Sequence, residues 1–305
     1  MNVAVIGRGD ILYKTTEYLQ KNNFNIKLIV TAKEAPEYKY TAENFESLAK
    51  KLNITFFNTY HLDSIPDFNT DNIDVAISAN YVNIISSKFI RRFKLGILNI
   101  HGGDLPRYRG NACQAWAILN KEKYIAVCIH KMLGGELDSG DILTKAKIKI
   151  NLNTRIAQIY ERIEEIAPDL FINTLKKLSK NNNFILEKQS NNKKDILRCY
   201  PRKPEDAKIN FNLKNKKIIR LINASSEPYS GAFCFYKTKR MTIWKAELYK
   251  NENFLAIPGQ VCQIIGNKYA VICCKKGKII IKEVEYEGIR TYPAHFIKSL
   301  RDRLN

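Results

Sequence analysis

The chain opens with a short apolar run, Val3–Ile6, then a polar turn, then an amphipathic stretch, Ile11–Lys21. Apolar runs bounded by turn residues mark strands buried on both faces. Apolar positions three and four apart mark one face of a helix. The alternation repeats. Strands are predicted at Asn25–Thr31, Ile54–Phe57, Ile73–Ala79 and Gly96–Ile100, with helices at Ala42–Leu52 and Ser87–Phe93. Ala112–Asn120 reads as a further helix, and Tyr124–Met132 and Ile142–Ile150 as strands. Such alternation predicts an α/β, Rossmann-like, mostly parallel sheet with helices on both faces. Thr154–Leu178 has Ile156, Ile159, Tyr160, Ile163, Ile166 and Leu170 on one helical face, and Pro168 is expected to kink or split it.

The pattern breaks near Asn181. Residues 181–194 are mostly polar and basic and read as a surface loop or linker. After Cys199 comes one short helix, Ile218–Asn223. Short strands follow at Ala232–Tyr236, Met241–Glu247, Gly259–Ile265, Ala270–Cys274 and Ile279–Glu285. That spacing predicts a small antiparallel barrel. The expected division is 1–180, a linker at 181–202, and 203–305.

Composition narrows the field. No apolar run approaches the roughly 20 residues of a membrane-spanning helix. The N-terminus carries no basic leader and no cleavage site, so it reads as a strand and the expected location is cytoplasmic. The seven cysteines are irregularly spaced with no CxxC pair, and histidine is scarce. Buried free thiols are expected, with neither a disulfide framework nor a metal site. The net charge of +20 favours anionic partners, such as nucleic acid or a nucleotide-bearing substrate. Yet the chain is also rich in Lys, Asn and Ile, a bias that an AT-rich genome produces unselected.

Candidate chemistry centres on Asn99 and His101, at the end of a predicted strand. Residues i and i+2 of a strand share a face, so an amide donor and an imidazole aim at one point. The turn after them, Gly102-Gly-Asp-Leu-Pro-Arg-Tyr-Arg-Gly110, admits close approach of a ligand to the backbone. A lone histidine is more often structural, but the carboxyl edge of an α/β sheet is where ligands bind. An acid from the loop Glu136-Leu-Asp-Ser-Gly-Asp-Ile142 can orient the ring; by spacing alone, Asp138 and Asp141 are equal candidates. His130 either lines the same cleft or packs in the core. Arg107, Arg109 and Lys131 form a basic rim, either merely solvated or an anchor for phosphate or a folate tail. The turn Gly7-Arg-Gly-Asp10 fails the dinucleotide fingerprint at Leu12 and reads as a tight strand-to-helix turn.

The blocks Leu98–Gly110, Ala115–Asn120 and Glu136–Ile142 resemble the formyltransferases that use N10-formyltetrahydrofolate. That family includes methionyl-tRNA formyltransferase and the sugar-nucleotide N-formyltransferases. Arg202–Asn210, Glu227–Phe233, Met241–Trp244 and Pro258–Val261 are similar to the linker and OB-like barrel domain of its longer members. The resemblance implies Asn99, His101 and Asp138 as catalytic residues, which selects Asp138 over Asp141. It implies a cofactor pocket from Asn80, Tyr81, Val82, Ile84, Gly134, Gly135, Glu136, Leu137 and Asp138. Gly102, Gly103, Arg109 and Asn111 are implied in substrate binding, with no metal.

The Asn111-Ala-Cys113 sequence, the His130 strand and the short segment after Thr31 resemble the sugar-nucleotide members more than the tRNA members. The implied acceptor is a nucleotide-linked amino sugar of the kind made for lipopolysaccharide and O-antigen. A tRNA acceptor, a non-catalytic folate binder and a homodimer remain open. The expected chemistry is attack of the amine on the formyl carbon. Asn99 donates to the oxyanion, and His101, held protonated by Asp138, passes a proton to the leaving nitrogen.

Overall fold

Two compact units make up the computed structural model, in which residues 1–66 and 72–305 are described. The first unit gathers residues 1–113, 125–148 and 160–199, and the second residues 114–124, 149–159 and 200–305. The chain begins with β1 (Asn2–Gly7), α1 (Asp10–Lys21), β2 (Asn25–Thr31), α2 (Ala42–Leu52) and β3 (Thr55–Asn58). It continues through β4 (Val75–Ala79), the short α3 (Ser87–Ile90), β5 (Ile97–His101), β6 (Arg109–Gly110) and α4 (Cys113–Leu119). Then come β7 (Tyr124–Lys131), β8 (Ile142–Lys149) and α5 (Ile156–Lys180).

Seven strands form one sheet in the order β3-β2-β1-β4-β5-β7-β8. The pairs from β3 to β5 are parallel, and β7 runs antiparallel to β5. The apolar runs explain the parallel part. Val3 to Ile6 and Val75 to Ile77 are fully buried, as strands covered on both faces require. The turn from β1 into α1 is fixed by Asp10, whose carboxylate accepts the backbone N–H groups of Lys39 and Tyr40 at 2.9 and 3.0 Å. This is the tight turn expected from the sequence.

Two expectations change. Pro168 does not split the long helix; α5 runs unbroken through it. Proline removes one helical hydrogen bond and costs about 3 kcal/mol. Ala167, Phe171, Leu175 and Leu178 are fully buried around it, and burying such side chains at about 1.5–3 kcal/mol each outweighs that loss. Residues 181–199, read as a surface linker, cluster with the first unit. Leu186 and Glu187 both donate to the Ile142 carbonyl, and β9 (Arg198–Cys199) pairs in parallel with β6. Backbone pairing needs only N–H and C=O groups, so polar side chains did not prevent it.

The second unit contains α6 (Asn215–Ala224) and the strands β10 (Ala232–Tyr236), β11 (Lys239–Tyr249) and β12 (Val261–Ile265). It ends with β13 (Tyr269–Cys273), β14 (Lys278–Tyr286) and β15 (Ile289–Thr291). Its antiparallel sheet has the order β10-β11-β14-β13-β12, with β15 on β14. The final residues join the two edges. Phe235 of β10 exchanges backbone hydrogen bonds of 2.7 and 3.0 Å with Asn305, and Val261 of β12 donates to Asp302 at 3.1 Å. The seam closes the sheet in the manner of an OB-like barrel. Ile218, Ile219 and Ile222 of α6 join Met241, Ile243, Ile279 and Ile281 in its core. Among the described residues, no helix is long and apolar enough to cross a membrane.

Candidate active site

Strand β5 carries Asn99 and His101 on one face, and β7 lies beside it with Asn99 opposite His130. Side chains opposite each other in an antiparallel pair are neighbours, so this register brings the second imidazole to the amide. The Asn99 Nδ2 group lies 3.2 Å from His130 Nε2. His130 Nδ1 donates to the Lys131 carbonyl at 2.9 Å.

Asp138 reaches both rings. Its carboxylate lies 3.5 Å from His101 Nδ1 and 3.5 Å from His130 Nε2. The Gly110 N–H, on β6, donates to the same carboxylate at 2.9 Å. Asp141, the rival by spacing, meets neither ring within ion-pair distance, and its carbonyl accepts from Lys131 N–H. Burial pushes the Asp138 carboxyl upward. The two imidazoles and the Gly110 N–H outweigh it and hold Asp138 well below the usual carboxylate range.

His101 is buried, and its Nε2 group donates to the Tyr108 carbonyl at 2.7 Å. Burial dominates its titration and lowers it from the ordinary imidazole value, against the pull of Asp138 and the Tyr108 carbonyl. The structure thus opposes the expectation that Asp138 holds His101 protonated. The reason is desolvation, which no sequence pattern reveals.

Gly103 makes this packing possible. A Cβ there would meet both His101 Nε2 and the Tyr108 carbonyl at 2.3 Å. Tyr108 itself is fully buried with φ 55°, a left-handed conformation that costs on the order of 1–3 kcal/mol in a bulky residue. Lys145 of β8 steadies the turn from the other side, donating to Asp104 at 2.8 Å and to the Leu105 carbonyl at 2.9 Å. The Cys113 thiol lies 3.7 Å from His101 Nε2 and donates to the Tyr108 carbonyl at 3.0 Å. A hydrogen bond with the Cys199 thiol, together with burial, raises its pKa, so Cys113 is a neutral packing group and no nucleophile.

The two loops expected to hold a cofactor meet. Gly135 N–H donates to the Ile85 carbonyl at 3.3 Å, and a Cβ on Gly134 would strike Ser87. Tyr81 donates to the Thr59 carbonyl, and burial beside Asp63 pushes its hydroxyl up to about 12. Val82, Leu137 and Asp138 are half-buried, whereas Asn80, Ile84 and Glu136 are exposed on the same two loops. Gly102 is half-buried and Asn111 exposed, its N–H donating to the Cys199 carbonyl. Arg109 is turned inward. Its guanidinium donates to Gln189 at 2.8 and 3.2 Å, and burial lowers its pKa. Arg107 and Lys194 line a cavity of about 530 Å³ with Pro106, Asp195, Ile196 and Leu197.

Tyr108, Lys145 and Gln189 carried no signal in the sequence. All three act through backbone carbonyls or through pairing of distant segments. The site as built can present an imidazole for proton transfer and an amide donor, and hold both beside an ionised acid.

Comparison with known proteins agrees. The chain matches the formyl transferase family over residues 1–175 and the formyl transferase C-terminal domain over residues 202–301. It is 29% identical to a methionyl-tRNA formyltransferase of Clostridium tetani, covering 94% of this chain and 92% of the relative. The bifunctional polymyxin resistance protein ArnA of Wigglesworthia glossinidia brevipalpis is 27% identical over 94% of this chain and 43% of its own. Among solved structures, an N-formyltransferase from Helicobacter canadensis, in complex with folinic acid and dTDP-3-aminofucose, superposes with a TM-score of 0.67 at 19% identity. It covers 92% of this chain and 98% of its own. With both its sheet and its barrel matched, the chain belongs to the formyl transferase family.

Proposed function

We propose that this formyltransferase moves a formyl group from N10-formyltetrahydrofolate to the primary amine of a nucleotide-linked amino sugar. One observation carries the choice of acceptor. The connection between β2 and α2 spans only residues 32–41 and is drawn back onto the first unit by Asp10. It offers no projecting basic arm for an RNA. Arg107 and Lys194, along the cavity beside the catalytic turn, suit the phosphates of a nucleotide.

In this reading the neutral amine attacks the formyl carbon and a new C–N bond forms. The oxygen becomes an oxyanion, to which Asn99 donates. The uncharged His101 takes the proton released by the amine and delivers it to N10 as that C–N bond breaks. Asp138 stabilises the imidazolium that exists between the two transfers. In the free protein these groups bond to one another, so substrate exchanges the Asn99–His130 contact for its own. The loops at 80–85 and 134–138 are proposed to hold the folate. A cytoplasmic enzyme fits seven free thiols.

A methionyl-tRNA acceptor is the second reading. It is favoured by the net charge of +20 and by relatives of that name along nearly the whole chain. The test is formyl transfer to TDP-, UDP- and GDP-amino sugars beside charged initiator tRNA. Turnover on a nucleotide sugar at least a hundredfold above that on tRNA is expected; the reverse order replaces the first reading with the second.

A further inference from the structure

Gln189 sits in the segment that reads as linker, yet it is 8% exposed and all its hydrogen-bonding capacity is used inside the site. Its Nε2 donates to the carbonyl of Asp138 at 2.9 Å and to that of Gly140 at 2.6 Å. Its Oε1 accepts from Arg109 Nε at 3.2 Å and from an Arg109 terminal nitrogen at 2.8 Å. A primary amide has two N–H donors and one oxygen with two lone pairs, and here each has a partner. Few side chains could do this. A carboxylate would lack the donors, and an apolar side chain would strand a buried guanidinium and two carbonyls.

The connections have a common end. Arg109 and Gly110 are the two residues of β6. Gly110 holds the Asp138 carboxylate, and Arg109, through Gln189, holds the Asp138 backbone. Asp138 is thus fixed at both ends to one two-residue strand. It needs this, because its φ is 51° in a loop containing Gly134, Gly135 and Gly140. A non-glycine residue leaves that conformation when its surroundings release it.

We propose that Gln189 is a positioning residue for formyl transfer: it locks the Asp138 loop in the conformation that sets the acid against His101. The proposal rests on the catalytic reading of Asp138 and His101 given above. Geometry errors near 1 Å at such a site cost on the order of a hundredfold in rate.

Two variants test it. Gln189→Glu keeps the acceptor for Arg109 and removes both donors. Gln189→Asn keeps the chemistry and falls one methylene short. In both, kcat on the accepted amine is expected to fall tenfold to a hundredfold, while KM for N10-formyltetrahydrofolate stays within threefold. NMR titration of His101 in Gln189→Asn supplies a readout independent of turnover. Its midpoint moves lower than in the wild type, because the attraction of Asp138 is what opposes burial. Wild-type kcat in both variants overturns the proposal, and so does an unmoved His101 midpoint in Gln189→Asn, whatever happens to the melting temperature. Should neither variant fold, hydrogen exchange of the Gln189 side-chain amide in the intact protein decides: exchange as fast as that of exposed glutamines overturns it. Asp138→Asn, run in parallel, separates the two failures. Full turnover there sinks the catalytic reading and the role of Gln189 with it. A dead Asp138→Asn beside fully active Gln189 variants sinks the role of Gln189 alone.

Discussion

The two units bury different kinds of polar group. The sheet unit encloses Asp10, His101, Arg109 and His130, all ionisable, together with the amide of Gln189. Among the described residues, the barrel unit encloses no carboxylate, imidazole, lysine or arginine; its buried polar groups are Asn223, Ser225, Ser226 and Thr242, beside thiols and tyrosines such as Cys234 and Tyr236. Its charges stay outside and pair there, as Arg290 does with Glu283 and Glu227 at 2.6 Å. Burying an ionisable group without use is a loss that a stable fold avoids. The barrel follows that rule for charged side chains; the sheet unit breaks it at Asp10, at the start of α1, and at three residues gathered around one point. The two buried histidines and the buried arginine of β5, β6 and β7 mark the candidate site more sharply than any single residue does.

The difference predicts opposite outcomes for substitutions in the two units. The largest effect is expected at His101. His101→Ala should lower kcat by about 10²–10⁴, the scale of a lost general acid–base group, with the melting temperature nearly unchanged. Asn99→Ala should cost about 10²–10³, as loss of one oxyanion donor does. Steady-state kinetics and calorimetry on the same samples check both. In the barrel the pattern inverts. Ile281→Ala, at a fully buried position, should lose about 3 kcal/mol of stability by denaturant unfolding. Rate losses without stability losses in the barrel core would erase the contrast.

Gly103→Ala tests where the two behaviours overlap. The added methyl meets His101 and the Tyr108 carbonyl, so about 1–3 kcal/mol of stability and most of the turnover should go together.

A pH profile sharpens the assignment further. His101 titrates below its ordinary value in the folded protein, so folding favours the neutral ring. Below about pH 6.5 the unfolded chain takes up this proton first. Its contribution to stability is therefore present above that pH and lost as pH falls. The acid limb of kcat/KM should lie below pH 6.5; a limb at or above 7 contradicts a neutral His101 base.

The smallest effect belongs to Ser78, fully buried opposite Asn99 with no partner for its hydroxyl among the described residues. Ser78→Ala should stabilise the free protein by up to about 1 kcal/mol.

Much of this was legible in the sequence. Val3–Ile6 and Ile73–Ala79 announced buried parallel strands because their apolar runs are nearly unbroken. Asn99 and His101 announced a shared direction because strand periodicity is local. The partners of those residues were not legible. His130 meets Asn99 through the register between β5 and β7, and register depends on the whole sheet. Gln189 reaches Asp138 directly across 51 residues, from a polar segment with no hydrophobic pattern to read. Arg109 looked like a rim residue, since charge alone does not tell which way a guanidinium turns. The lowered titration of His101 depends on burial, which only the assembled site supplies.

The seam of the barrel has a practical consequence. Residues 302–305 are its last rung, bonded on one side to Phe235 and on the other to Gly259 and Val261. A chain cut after residue 301 would expose two unsatisfied strand borders at once. Such borders recruit other strands, so the truncated protein should self-associate through added β-pairing before the surroundings of Asn99 and His101 are disturbed.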